Sequence, residues 1–222
     1  MIVAAGRSDR MDGADKLWAP LTDAAGLTRP LLAYALRAFQ SCAAIDRIVL
    51  VVGEVTVERA QALIRDEGLD RVCAVVPGGA RRQDSVRAGL EALGRCDWVA
   101  VHDGARPLVT PELIERGIEA ARETGASCCA LPASDTVKES DEDGLAIRTI
   151  DRARVWLAQT PQVFRYGLLL DAHRRCESDA TDDASMVEAL GVKVRLFEGS
   201  PRNVKVTTQE DLALVQALLE QP

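Results

Sequence analysis

Short apolar runs alternate with stretches of helical spacing along most of the chain. Residues 45–52 (Ile-Asp-Arg-Ile-Val-Leu-Val-Val) predict a buried strand that ends at Gly53. Residues 58–67 have helical spacing and stop at Gly68, and 71–76 predict a second strand, closed by Pro77-Gly78-Gly79. A helix is expected over 85–93 and a strand over 98–102. A helix from Pro111 to about Thr124 then leads into a strand over 126–131. Near-continuous apolar strands separated by helices predict an α/β fold. Its sheet should be twisted and mostly parallel, with helices on both faces and its binding crevice at the carboxyl ends of the strands.

The pattern changes after Pro132. Residues 136–138 and 145–150 flank a polar tip ending at Gly144, which predicts a hairpin. An isolated two-stranded hairpin is marginal in water, so it should pack on something. A surface flap and an arm gripping a second subunit are both open. Helices over 166–176 and 184–190 follow, then strands over 192–197 and 203–207, and a closing helix over 209–219 with Thr208 as its cap. There is no internal repeat, and one domain over 1–222 is expected.

Composition narrows the possible functions. Apolar residues are 47% and charged residues 27% of 222, which fits a globular domain, and aromatics are only 4%, so the core must be aliphatic. No apolar run could span a bilayer, and the start lacks the features of a secretory signal. A net charge of −7 argues against a nucleic-acid binder, so any anionic ligand must be drawn by local clusters of cations. The six cysteines form no Cys-x-x-Cys pair. They read as reduced thiols in a cytoplasmic protein, with Cys128 and Cys129 on opposite faces of one strand.

Four cation-bearing segments fall beside expected strand ends. The opening loop, Ala4-Ala5-Gly6-Arg7-Ser8-Asp9-Arg10-Met11 with Lys16, joins a glycine turn to three cations, a composition suited to polyphosphate. A dinucleotide-binding oxidoreductase would need more glycines there and fewer cations. The other segments are 78–85 (Gly-Gly-Ala-Arg-Arg-Gln-Asp-Ser), 102–107 (His-Asp-Gly-Ala-Arg-Pro) and 203–207 (Asn-Val-Lys-Val-Thr). Asp103 could bind a metal or hydroxyl, or merely form a turn. Lys205, in an apolar strand, either snorkels to the surface or points into a site. His102 is expected to shape its loop, and His173 to be a surface or partly buried residue of a helix.

Taken in order, these segments resemble the 2-C-methyl-D-erythritol 4-phosphate cytidylyltransferase family over nearly the whole chain. Asp135-Thr136-Val137-Lys138, Asp151-Arg152 ahead of Trp156, Thr160-Pro161-Gln162 and Thr181-Asp182-Asp183-Ala184-Ser185 extend the match. The chain departs from the family pattern at Ser8, where a second Gly is usual, and at Asp15, where Pro is usual. The resemblance implies a Rossmann-like fold and transfer of CMP from CTP to methylerythritol phosphate with Mg²⁺. It also implies a homodimer joined by a hairpin arm at about 134–153. The implied catalytic residues are Arg10, Lys16, Arg152 and Lys205. Nucleotide binding falls to Ala4, Ala5, Gly6, Gly79, Ala80, Arg82, Ser85 and Gly104. Substrate binding falls to Asp103, Arg106, Thr136, Arg152, Thr160 and Lys205, with Asp103 also near the metal. Ribitol 5-phosphate cytidylyltransferases share the nucleotide loops, but they tend to carry a bulkier residue in place of Ala105 and a Pro in place of Asp151. A non-catalytic nucleotide-binding homologue is a further alternative.

Overall fold

The computed structural model describes residues 1–6, 15–176 and 179–221. Seven strands form one sheet: β1 (Ile2–Ala4), β4 (Ile48–Val52), β5 (Val72–Pro77), β6 (Trp98–Asp103), β7 (Ala126–Pro132), β10 (Trp156–Arg165) and β11 (Arg195–Glu198). Their order is β11-β7-β10-β6-β1-β4-β5, and two small ribbons stand apart, β2 (Pro20–Thr22) with β3 (Thr28–Pro30) and β8 (Val137–Ser140) with β9 (Ala146–Ile150). Every neighbour pair in the sheet is parallel except those made by β10, which runs against both β6 and β7.

Helices cover both faces. On one lie α1 (Leu31–Ser41), α2 (Val57–Asp66), α4 (Pro111–Thr124) and α7 (Gln209–Leu219); on the other lie α3 (Arg82–Leu93), α5 (Tyr166–Arg175) and α6 (Asp183–Glu188). Strand alternation feeds both cores. Leu50, Cys129 and Val163 enter the first, while Val49, Cys128 and Phe164 enter the second. The sheet buried on both sides explains why its strands read as unbroken apolar runs. From β1 the chain builds β4 and β5 on one side and returns to β6 on the other. The switch point between β1 and β6 opens a crevice at their carboxyl ends.

Several expectations shift. The pattern reading leaves 20–44 unassigned, and the structure puts the β2–β3 ribbon and α1 there, with Leu31, Leu32, Leu36 and Phe39 fully buried. β10 is also unanticipated, because Gln159, Thr160 and Gln162 break its apolar run; all three are buried and hydrogen-bonded, and its register with β7 shifts between Ala158 and Gln162. α3 begins three residues earlier than expected, since Asp84 Oδ2 accepts the Arg81 N–H at 3.2 Å and starts the helix there. β11 is shorter than expected. Residues 203–207 form no strand; they are an extended segment held by a bond from the Val206 N–H to the Ala105 carbonyl at 2.8 Å. The hairpin over 137–150 stands as expected.

Phe164 is wholly buried near the carboxyl end of β10. Phe164→Ala should lower stability by about 3–5 kcal/mol in urea unfolding. A loss under about 1 kcal/mol would mean that β10 is not packed as described.

Candidate active site

The crevice at the switch point has a volume of about 630 Å³. Ala4, Ala5 and Gly6 enter it from the end of β1, and Lys16 from the turn that follows. Gly79, Ala80, Arg82 and Ser85 enter from the β5–α3 connection, Asp103 from the end of β6, and Lys205 from the extended segment.

The β5–α3 connection must be glycine where it passes β1. A Cβ on Gly78 would collide with Ala5 and fall 2.6 Å from Ser85 Oγ. The Ser85 hydroxyl accepts the Gly79 N–H at 3.1 Å and donates to the Arg81 carbonyl at 3.2 Å, which closes the loop on the start of α3. Lys16 sits on a single 3₁₀ turn. Asp15 caps that turn, its Oδ1 accepting the Leu17 N–H at 3.2 Å. The backbone of Asp15 has φ −78°, within the range a proline would fix, so the departure at this position keeps the geometry and adds a cap. Trp18 ends the turn, with the Arg59 guanidinium 4.3 Å over its ring.

Asp103 is the hub of the site. Lys205 Nζ lies 2.7 Å from its Oδ2 and Arg82 Nε 3.5 Å from its Oδ1. Burial alone would raise its pKa, but the Lys205 ammonium and the Arg82 guanidinium outweigh that and hold it at about 2. Lys205 therefore points into the site. The backbone beneath Asp103 is held by a closed chain of hydrogen bonds. The Asp103 N–H donates to Thr160 Oγ1 at 3.0 Å, Thr160 Oγ1 bonds His102 Nδ1 at 3.0 Å, and His102 Nε2 meets the Arg106 carbonyl at 3.1 Å. A carbonyl accepts only, so Nε2 carries the proton and the Thr160 hydroxyl donates to Nδ1. Burial lowers the His102 pKa to about 4, so its ring is neutral, with both nitrogens occupied. It shapes the loop, and its one ring proton is committed to the Arg106 carbonyl.

Other expected site residues fall elsewhere. Thr160 is buried beneath Asp103 rather than lining the crevice. Arg106 is also buried; its Nη1 donates to the Asn203 carbonyl at 2.7 Å, which ties the β6 turn to the segment carrying Lys205. Gly104 is buried as well, and a Cβ there would face Ala4 and Leu32 at 3.0 Å, toward the core. Thr136 and Arg152 are exposed on and beside the hairpin, with Arg152 Nη1 donating to the Ser134 carbonyl at 2.6 Å, outside this chain's own crevice. Arg10 lies outside the described residues, as does Ser8.

Sequence reasoning missed two supports. Asn203 is fully buried and donates to the Thr160 carbonyl at 2.7 Å. His173 is buried, not superficial, with its Nε2 3.0 Å from Asp183 Oδ1. The helical spacing of 166–176 could have revealed that His173 shares the inward face with Leu169 and Ala172.

A resident metal does not fit this site. Both Asp103 oxygens face cations, and no group of three or more His, Cys, Asp or Glu able to hold a metal occurs among the described residues.

Because His102 is neutral when folded and takes a proton near pH 6.5 when unfolded, its contribution is full above pH 6.5. It is lost as pH falls toward 4, by on the order of 3 kcal/mol. Stability curves of the wild type and His102→Gln should therefore converge over that range. Curves that stay parallel in chemical denaturation would show that His102 is not held neutral.

Comparison with known proteins agrees with this geometry. The family model described as IspD: 2-C-methyl-D-erythritol 4-phosphate cytidylyltransferase matches residues 1–221. The enzyme of that name from Dehalococcoides mccartyi is 45% identical over 220 residues, covering 99% of this chain and 95% of the relative. A bifunctional enzyme IspD/IspF from Desulforudis audaxviator is 47% identical, covering 99% of this chain and 56% of the relative. Among solved structures, 4-diphosphocytidyl-2C-methyl-D-erythritol synthase from Anaerococcus prevotii superposes with TM-score 0.83 at 29% identity, covering 99% of this chain and 94% of that one. The cytidylyltransferase from Thermus thermophilus gives 0.78 at 33%, covering 98% and 96%. With a Rossmann-like mostly parallel sheet, a glycine-lined crevice of cations and a match along its whole length, this chain belongs to the 2-C-methyl-D-erythritol 4-phosphate cytidylyltransferase family of nucleotidyltransferases.

Proposed function

We propose that the crevice takes CTP and methylerythritol phosphate and transfers the cytidylyl group between them. A phosphate oxygen of the acceptor attacks the α-phosphorus of CTP, the bond to the β-phosphate oxygen breaks, and pyrophosphate leaves. The observation that carries this reading is the convergence of Lys16, Arg82 and Lys205 on one glycine-lined crevice. A phosphate monoester has a second pKa of about 6 and is already largely dianionic at pH 7, so no general base is needed. What is needed is in-line placement and neutralisation of two anions that repel each other. A neutral, fully bonded His102 and an ionised Asp103 suit that chemistry.

Lys16, with Arg10, would neutralise charge on the α-phosphate. Ala5, Gly79, Ala80 and Ser85 would hold the cytosine through backbone groups and the Ser85 hydroxyl. Gly104 would meet the ribose through its backbone alone. Lys205 would bind the acceptor's phosphate, and Asp103 would bind its hydroxyls. Thr160 and Arg106 would act through the backbone of Asp103 and Lys205 rather than by touching substrate. Mg²⁺ would enter with the triphosphate, as part of the substrate.

The chain would act as one catalytic domain with an arm at about 134–153, paired with a second copy. Thr136 and Arg152 would then reach the partner's crevice. Support comes from apolar side chains left in solvent on and beside the arm: Leu145 at 67%, Ile147 at 61% and Leu157 at 56% exposure. No helix among the described residues is long and apolar enough to cross a membrane, and the six cysteines are free, which suits a reducing cytoplasm.

Pyrophosphate release from Mg²⁺–CTP should occur with methylerythritol phosphate and not with ribitol 5-phosphate. The opposite preference would keep the nucleotide site and overturn the acceptor, and CTP binding without turnover on either would point to a binding homologue. Lys16→Ala should lower kcat by roughly 10²-fold or more, because its charge acts mainly in the transition state. Intact turnover would remove it from the mechanism. Arg152→Ala should raise KM for methylerythritol phosphate and leave that for CTP alone. The reverse pattern would refute the arm's role.

A further inference from the structure

We infer that His173, acting through Asp183, is a positioning residue for Arg82, keeping that guanidinium turned toward the crevice; the inference rests on the crevice being the CTP site. Asp183 is wholly buried, and His173 nearly so. The two oxygens of Asp183 are divided between two partners, a hydrogen bond at one and an ion pair at the other. Oδ1 lies 3.0 Å from His173 Nε2, and Oδ2 lies 2.7 Å from Arg82 Nη1. Arg82 reaches forward from there, its Nε 3.5 Å from Asp103 Oδ1, and its side chain is 27% exposed in the crevice wall.

The division matters because carboxylate and guanidinium pair best as a two-pronged fork. A free Asp183 would offer Arg82 both oxygens and draw it back from the crevice. His173 occupies Oδ1 and denies Arg82 the second prong. One guanidinium edge is then anchored in the protein, and the remaining N–H groups stay available in front. The backbone of Asp183 does not depend on His173. Gln162 Nε2 donates to Asp182 Oδ2 at 2.7 Å and Gln162 Oε1 accepts the Ala184 N–H at 3.0 Å, while Asp182 Oδ1 caps α6 through the Ser185 N–H at 2.9 Å. Loss of His173 should therefore free a carboxylate without unseating the helix that bears it.

The test is CTP affinity, measured by calorimetry with Mg²⁺ in the absence of acceptor, together with steady-state KM values. His173→Leu should weaken CTP binding about tenfold, the scale of one charge-assisted hydrogen bond, and leave KM for methylerythritol phosphate within about twofold. His173→Gln, which restores an N–H of similar reach, should return affinity to within about threefold of wild type. In an Arg82→Ala background, His173→Leu should have no further effect, whereas a merely structural role would add its own penalty. Asp183→Asn, nearly isosteric, gives a second reading if His173→Leu does not fold. It too should weaken CTP binding and lose its effect in the Arg82→Ala background. Unchanged affinity in folded His173→Leu, or a penalty that persists without Arg82, would overturn the inference. A wild type that binds CTP but releases no pyrophosphate would defeat the proposed reaction and leave this comparison intact.

Discussion

The site depends on one ionised carboxylate held rigid at a strand end. Asp103 draws Lys205 and Arg82 together, and without it two cations brought in from distant parts of the chain would repel each other. That role requires Asp103 to be fixed and charged at once. Thr160 fixes it from below, through an N–H bond relayed to His102, and the cations keep it charged despite burial. A polar network of this kind is costly if half satisfied. Here Gln159 and Gln162 are hydrogen-bonded and Asn203 donates to the Thr160 carbonyl, while Asn203 Oδ1 and Arg106 Nε are buried without a hydrogen-bond partner among the described residues.

The strand β10 makes that support possible. Running antiparallel between β6 and β7, it carries Gln159, Thr160 and Gln162 into the interior next to the end of β6. From there Gln162 reaches across to Asp182 and to the N-terminus of α6. The strand thus links the floor of the crevice to the segment behind Arg82. The chain's net charge of −7 does not prevent this, because its cations are gathered locally where the two halves of the sheet diverge.

Much of this was legible in the sequence, for physical reasons. Strands buried on both faces announce themselves as apolar runs, and Gly68, Gly94 and Gly125 end their helices with positive φ, as a reader of the chain would expect. Lys205 stood out because a lysine in an apolar stretch needs a partner. The elements that escaped were those whose signal is non-local. β10 contains polar residues that are tolerable only because distant groups bond them. The extended segment at 203–207 resembles a strand by composition and lacks the neighbour to make it one. His173 reads as a surface or partly buried group because nothing local reveals Asp183 as its partner, and nothing local shows that Arg106 reaches the Asn203 carbonyl. Thr160 and Arg106 lie one layer beneath the crevice surface, a depth that the sequence does not announce.

The paired thiols of β7 bear on the protein's durability. Burial pushes the Cys128 thiol up to about 12 and the Cys129 thiol up to about 11. At neutral pH the thiolate fraction is then on the order of 10⁻⁴ or less, too small for ready attack by peroxide or alkylating agents. Cys129 lies against Gln159, which in turn accepts from Asn203, two residues before Lys205. Cys73, by contrast, is exposed on β5 at the far edge of the sheet. Oxidative wear would accumulate at that margin first, while the sulfurs nearest the chemistry stay reduced.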